Sequence, residues 1–420
     1  MNTAFHADRG HSVCRGCGEN ELFQGIDLGN LPIANELFVS KDFNKEVFPL
    51  CLMVCLKCGL GQVADVVTPN RIFEDYRYLS SISSSFLLHA KEYVDNLINS
   101  QTLNDGDLVI EIASNDGYLL RNFQDTGIRT IGIEPAGNVA EIAKSHGINT
   151  YNEFFTEELA HRILEMHGKP RLIIANNVMA HVPDIVDFVA GLSVLCGENT
   201  LISVENPSLL NILSGLQFDT IYHEHYSYLT AFSVDKLCRP HNLQLVHVEK
   251  LDTHGGSNRY WIRRAGFQNP NIAVSKLIEH ELLTGVLSPE AWSKTSNSVH
   301  VLIEDFRSWL IERHSKSGRV FGYGAAAKAS TLINATNPQS SKIVAIADAS
   351  VEKQGRFMPT FGIPIISPDE LASMSPTDVV IFPWNIAAEI GKTLAQLLPI
   401  DVKIWRVIPS LAEITPDELS

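Results

Sequence analysis

The stretch Leu108-Val109-Ile110-Glu111-Ile112-Ala113-Ser114-Asn115-Asp116-Gly117 decides the fold. An apolar run carrying one acid, followed by small and polar residues that end in glycine, reads as a buried strand entering a tight turn, with a helix expected from about Tyr118. The pattern recurs downstream. Arg129-Thr130-Ile131-Gly132-Ile133-Glu134-Pro135 is a second strand with a helix behind it from Asn138 to His146, and Leu172-Ile173-Ile174-Ala175-Asn176-Asn177 is a later strand. Strand–helix alternation of this kind builds a parallel, doubly wound α/β sheet whose ligands sit beyond the carboxyl ends of its strands.

Glu134 ends the second strand 23 residues after Glu111, the position at which an acid accepts hydrogen bonds from a ribose diol. A dinucleotide would want a glycine-rich turn against its pyrophosphate, but Ala113, Ser114 and Asn115 leave only Gly117. The turn therefore suits a nucleoside cofactor without a pyrophosphate, such as S-adenosylmethionine (SAM), better than NAD.

Outward from this unit, the chain of 420 residues has room for roughly two to four domains. Its net charge of −15 argues against nucleic-acid or anionic-membrane partners, since either would want a basic surface. The first ten residues lack the apolar core of a signal peptide, and no apolar run approaches membrane-span length, so a cytoplasmic location is expected. Cys14-Arg15-Gly16-Cys17-Gly18 and Cys55-Leu56-Lys57-Cys58-Gly59 are paired C-x-x-C-G knuckles, which supply the four thiolates of a closed, structural zinc site. An iron–sulfur cluster is the alternative, and Cys51 and His11 could compete as ligands. A small zinc-stapled, β-rich domain is expected over 1–72.

Toward the other end, Val299, Val301, Leu302, Phe306, Trp309 and Leu310 mark an amphipathic helix over 296–316. It leads into Arg319 to Lys328, a strand, a Gly322-Tyr323-Gly324 turn and a helix start, where amide N–H groups and Lys328 could receive a diphosphate. Further strands at 343–348 and 379–385 make residues 291–420 a second Rossmann-like unit, leaving 73–290 as the central domain.

Between the two units, Gln217-Phe218-Asp219-Thr220-Ile221-Tyr222-His223-Glu224-His225-Tyr226-Ser227-Tyr228 concentrates imidazoles, carboxylates and phenols beyond what folding requires. A zinc or iron site on His223, His225 and a carboxylate is one reading of it, and acid–base chemistry is the other. His254-Gly255-Gly256 suggests a close backbone approach near a substrate.

Taken together, these stretches resemble the SAM-dependent sugar C-methyltransferases that carry an N-terminal zinc domain and act on nucleotide-linked 4-keto-deoxysugars. The resemblance rests on both knuckles, Tyr76 to Ser81, Glu111 to Tyr118, Gly132 to Ala136, Ala175 to Asp184, Gln217 to His225, His254 to Ser257, Gly322 to Lys328, Lys353 to Gly355, and Pro383 to Asn385. It implies three parts: a zinc domain, a class I SAM-methyltransferase Rossmann-like domain and a second Rossmann-like domain that helps bind the sugar nucleotide. It also implies methyl transfer to the ring carbon beside the ketone, at C3, through a base-generated enolate. His225 is the implied base, with Tyr222, Glu224, Tyr76 and His181 around it. Glu111, Ala113, Asn115, Gly117, Tyr118, Glu134, Pro135 and Asn177 are implied at the cofactor, and Tyr222, His254, Tyr323, Lys328 and Asn385 at the substrate. Zinc is expected on Cys14, Cys17, Cys55 and Cys58, and a monomer is expected. Asn258-Arg259-Tyr260 and Ala329 depart from the family pattern, at positions expected near the sugar nucleotide. Two other readings stay open at this point: an NAD-dependent sugar-nucleotide oxidoreductase or epimerase, and a non-enzymatic zinc-containing assembly protein.

Overall fold

The structure, a computed structural model, describes residues 13–40, 46–64, 67–73, 79–82, 84–100, 102–337 and 343–415. The expected strand Leu108–Ile112 is the fifth strand of a seven-stranded sheet and is buried at every position, because its side chains enter two apolar cores, Leu108, Ile110 and Ile112 one and Val109 the other. The sheet order is Leu243–Leu251, Ser257–Arg264, Leu201–Pro207, Leu172–Asn176, Leu108–Ile112, Arg129–Ile133, Thr150–Tyr151. The last five are parallel, and Ser257–Arg264 runs antiparallel beside Leu201–Pro207. The chain leaves Leu108–Ile112 toward Arg129–Ile133 on one side and later returns to Leu172–Asn176 on the other. A crevice therefore opens between the turn after Ile112 and the turn after Asn176.

A second parallel sheet forms in the C-terminal part, ordered Ile365–Ile366, Ile346–Ala347, Val320–Tyr323, Asp378–Ile381, Lys403–Arg406, with Ala412–Glu413 antiparallel at its edge. The N-terminal sheet is antiparallel: Leu22–Leu31, Phe48–Cys55 and Gly61–Val63. Its fourth strand, Ser227–Tyr228, comes from the middle of the chain and pairs with Gly61 and Gln62. One apolar core runs from Leu52 and Val54 through Phe218, Ile221 and Tyr226 to Trp292, Phe306, Ile346 and Val380, so the polar segment 217–228 sits where the three sheets converge. Among the described residues no helix is long and apolar enough to cross a membrane.

Two elements differ from expectation. After Tyr118 only a 3-10 turn, Leu120–Phe123, forms. The Asn122 side-chain amide donates to the Tyr118 and Leu119 carbonyls and so competes for the acceptors a longer helix would use. The helix expected over 296–316 spans Pro289–Ser315, because Ser288 caps it by accepting from the Ala291 N–H and Pro289 suits its first turn.

Candidate active site

The two turns that flank the crevice are held in left-handed backbone at residues that carry a Cβ: Ala113 (φ 56°), Asn115 (φ 51°) and Asn177 (φ 54°). Such conformations cost about 1 kcal/mol or more each and gather where a site needs its backbone in one arrangement. Gly117 is required at the end of the first turn, since its φ is +77° and a Cβ would lie 2.9 Å from Ile148 Cγ1. Tyr118 is buried behind it and Pro135 follows Glu134 at the mouth. The Glu134 carboxylate accepts from the Asn115 N–H (3.0 Å) and the Ala136 N–H (2.9 Å), yet burial still pushes its pKa up to about 7. Burial, then the neighbouring Glu134 and Asp116, holds the Glu111 carboxyl well above the usual range. Glu111 Oε2, Asp116 Oδ1, Asn176 Oδ1 and Asn177 Oδ1 are buried acceptors that lack a hydrogen-bond partner among the described residues. Acceptors and acids around a crevice fit a ligand that brings donors and positive charge, which SAM does through its ribose hydroxyls, amino groups and sulfonium.

Facing this crevice, segment 217–228 is a 3-10 turn at Phe218–Thr220, then a turn, then the short strand Ser227–Tyr228, so strand alternation does not govern its side chains. His225 is fixed at both nitrogens: Nδ1 lies 3.1 Å from the Thr220 carbonyl and Nε2 2.9 Å from Tyr222 Oη. A carbonyl only accepts, so Nδ1 carries the hydrogen. Nε2 of the neutral ring is then an acceptor to which Tyr222 donates. Burial, followed by the neighbouring His181, holds the His225 pKa well below its ordinary value, so the ring is a neutral base at neutral pH. His181 stands edge-on to it with ring centroids 4.6 Å apart and hydrogen-bonds the Glu224 backbone, and burial lowers its pKa to about 4. Glu224 Oε1 accepts from the Asn35 backbone N–H and side-chain amide, both at 3.2 Å, and burial raises its pKa. His223 turns the other way, donating from Nε2 to the Pro49 carbonyl at 3.2 Å. It therefore does not share a ligand set with His225. Tyr76 lies outside the described residues.

The second Rossmann-like unit closes the other side. Lys328 Nζ donates to Asn385 Oδ1 at 2.7 Å and lies 4.2 Å above the Trp384 ring, whose Nε1 donates to Asp219 Oδ2 at 2.8 Å. Lys328 is thus half-buried against the junction, with its pKa lowered by desolvation and partly restored by Asp219. In the glycine turn beside Tyr323, the Ala325 N–H already donates to Asp348 Oδ2 at 2.8 Å. His254 is left-handed (φ 54°), and burial lowers its pKa to about 4. At Gly255 (φ +84°) a Cβ would lie 2.3 Å from Trp384 Cη2, so the two units touch at backbone distance there. Tyr260 and Ala329, two of the departures from the family pattern, have no exposed surface and pack in the core.

The four cysteine sulfurs lie within 4.8 Å of one another, with Cys14–Cys58 and Cys17–Cys55 each 3.6 Å apart. A tetrahedral zinc with bonds of ~2.3 Å requires sulfurs ~3.8 Å apart, so the set fits that ion. No other group of three or more His, Cys, Asp or Glu side chains suited to a metal occurs among the described residues, and Cys51 is outside the cluster. His11 lies outside the described residues.

Asn35, Thr220 and the Asp219–Trp384 pair escape sequence reasoning as site residues. So does a buried network in which Glu205 accepts from Arg259 Nη2 (2.9 Å) and Thr253 Oγ1 (3.2 Å) and meets His89 Nε2 at 3.2 Å. Asp219 and Thr220 lie inside the polar stretch 217–228 without standing out in it, and the contacts of Asn35, Trp384 and Glu205 join segments far apart in the chain.

Family models match a zinc binding domain over 14–73, a methyltransferase domain over 86–248 and a C-methyltransferase C-terminal domain over 252–409. The C-methyltransferase NovU of Streptomyces niveus is 33% identical over 380 residues, 90% of each chain. Among solved structures, a SAM-bound magnesium protoporphyrin IX methyltransferase from Synechocystis aligns with 47% of this chain and 89% of its own at 14% identity and a TM-score of 0.34. A SAM-dependent methyltransferase from Anabaena variabilis aligns with 41% and 84% at 16% identity and a TM-score of 0.32. On the extent of the NovU match and the three domain models, this chain belongs to the family of SAM-dependent C-methyltransferases with an N-terminal zinc-binding domain.

Proposed function

We propose that the enzyme methylates the ring carbon beside the ketone, at C3, of a nucleotide-linked 4-keto-deoxysugar, through an enolate formed by His225. The observation that carries this reading is the pairing of His225 Nε2 with Tyr222 Oη at 2.9 Å while Nδ1–H is held by Thr220. Carbon is a poor nucleophile until its C–H is deprotonated, so the site needs a base and a donor to the developing oxyanion. When Tyr222 turns its hydroxyl from Nε2 to the ketone oxygen, it uncovers the lone pair that takes the proton. A buried imidazole resists a positive charge on its own. It accepts one here because the enolate, an anion, forms beside it in the same step.

Glu111, Ala113, Asn115, Gly117, Tyr118, Glu134, Pro135 and Asn177 hold SAM, which supplies an electrophilic methyl group. His181, Glu224 and Tyr76 complete the wall around the reacting sugar, and His254, Tyr323, Lys328 and Asn385 bind the sugar nucleotide. On this reading the working division is 1–72, 73–290 and 291–420, and the enzyme is a cytoplasmic monomer of branched-deoxysugar biosynthesis.

The test is His225→Ala, assayed for methyl transfer from labelled SAM to dTDP-, CDP- and GDP-linked 4-keto-6-deoxysugars and for exchange of the C3 hydrogen in D2O. Both rates should fall by roughly 10²- to 10⁴-fold with S-adenosylhomocysteine affinity preserved. Undiminished exchange would remove His225 from the base role, and turnover of no sugar in the panel would remove the substrate class.

A further inference from the structure

The zinc-binding domain reaches into the site through one residue. Leu31, Ile33 and Ala34 are buried, and the run they form ends at Asn35, where the Glu36 N–H donates to the Ile33 carbonyl and the Leu37 N–H to the Asn35 carbonyl. This turn aims two donors of Asn35, its backbone N–H and its side-chain amide, at the same oxygen, Oε1 of Glu224. Oε2 is buried and lacks a hydrogen-bond partner among the described residues. Glu224 is 3% exposed, whereas Asn35 is itself exposed, so truncating Asn35 opens no hole in a core. The neighbours of Glu224 are tied to the same domain: His223 to the Pro49 carbonyl, Tyr226 Oη to the Val67 carbonyl at 2.6 Å, and the Tyr226 carbonyl to the Val63 N–H at 3.1 Å and to the Arg15 guanidinium.

We propose that Asn35 is a positioning residue for the methyl transfer: by holding Oε1 of Glu224 with two donors, it fixes the carboxylate beside the His181–His225 pair and leaves Oε2 as the acceptor offered to substrate. The proposal rests on the reading of Glu224 as a site residue. Removing the Asn35 donors leaves a buried carboxylate that protonates more readily. The other titratable or charged groups around it are Glu36, His181, Tyr226, Tyr228 and, beyond the tyrosines, Arg15.

The experiment compares Asn35→Ala, Asn35→Ser, Asn35→Asp, Glu224→Gln and the double variant N35A/E224Q in the full chain, with S-adenosylhomocysteine calorimetry on each to show that the cofactor site is intact. N35A should lower kcat about ten- to a hundredfold, as expected for lost hydrogen bonds to a buried charge, with KM and cofactor affinity changed by less than about twofold. The acid limb of kcat that disappears in E224Q should move to higher pH in N35A. Serine, which keeps a donor, should restore part of the rate, and the near-isosteric aspartate should lose most. In the E224Q background N35A should cost nothing further. Wild-type kcat in N35A, an unmoved acid limb, or an equal loss in both backgrounds would overturn the proposal. Normal turnover in E224Q would instead remove Glu224 from the site, and the proposal with it.

Discussion

Gly255→Ala tests whether the two Rossmann-like units are locked at the Trp384 contact. The left-handed backbone (φ +84°) costs alanine about 1–2 kcal/mol by itself. The new Cβ would also stand 2.3 Å from Trp384 Cη2 and 2.7 Å from Cζ3, so the indole must move. Moving it breaks the Trp384–Asp219 hydrogen bond, a bond to a buried acid that contributes about 1.5–3 kcal/mol. The total is roughly 3–5 kcal/mol, felt where the units meet. Native-state hydrogen exchange of amides at 217–221 and 253–257 should therefore accelerate by roughly two to four orders of magnitude, while those of Leu108–Ile112 stay protected. In a Trp384→Ala background the obstacle is gone, and the next neighbour is Gln217 Nε2 at 3.4 Å. There the same substitution should accelerate exchange only about tenfold, from backbone strain alone. Equal effects in the two backgrounds would refute the lock.

Two further outcomes follow from the site. Glu134 is held at about 7 by burial, above its ordinary 4.5. Its ionised form, the better acceptor for ribose hydroxyls, is thus lost as pH falls through about 7, and S-adenosylhomocysteine affinity measured from roughly pH 8 to 6 should weaken by up to tenfold per pH unit, a slope that Glu134→Gln removes. The same raised pKa costs stability as pH rises from about 4.5 to 7, so thermal stability should fall over that window by more in the wild type than in the variant. Removal of zinc by a chelator should unfold the N-terminal sheet, seen by circular dichroism, and abolish methyl transfer while cofactor binding persists; a metal-free chain that stays folded and active would contradict a structural role.

What could be read from the sequence was what is local. Two C-x-x-C-G knuckles, a strand ending in Ala113 to Gly117 and an acid at Glu134 each announce their chemistry within a dozen residues, and the structure brings the knuckles to one point and the acids to one crevice. The orientation of His223 was not legible, because it depends on the Pro49 carbonyl 174 residues away. The Asn35–Glu224 contact spans 189 residues and Trp384–Asp219 spans 165, distances over which no periodicity carries information. The early start of helix Pro289–Ser315 was legible, in Ser288 followed by Pro289, but the apolar stripe drew the boundary later. The 3-10 turn after Tyr118 shows the reverse, a helix signal overridden by the Asn122 side chain.

The pairing of Ser227–Tyr228 with Gly61–Gln62 has a consequence for how the chain is made. As the protein leaves the ribosome, the strand Gly61–Val63 has one neighbour, Phe48–Cys55, and a bare edge on its other side. The segment that covers that edge is synthesised about 160 residues later, at ordinary elongation rates a delay of roughly ten to thirty seconds. During that interval the unpaired Gly61–Val63 edge is open to adhesion with other chains. The same arithmetic makes the first 72 residues a poor candidate for expression alone: cut from its distant fourth strand, that fragment should self-associate.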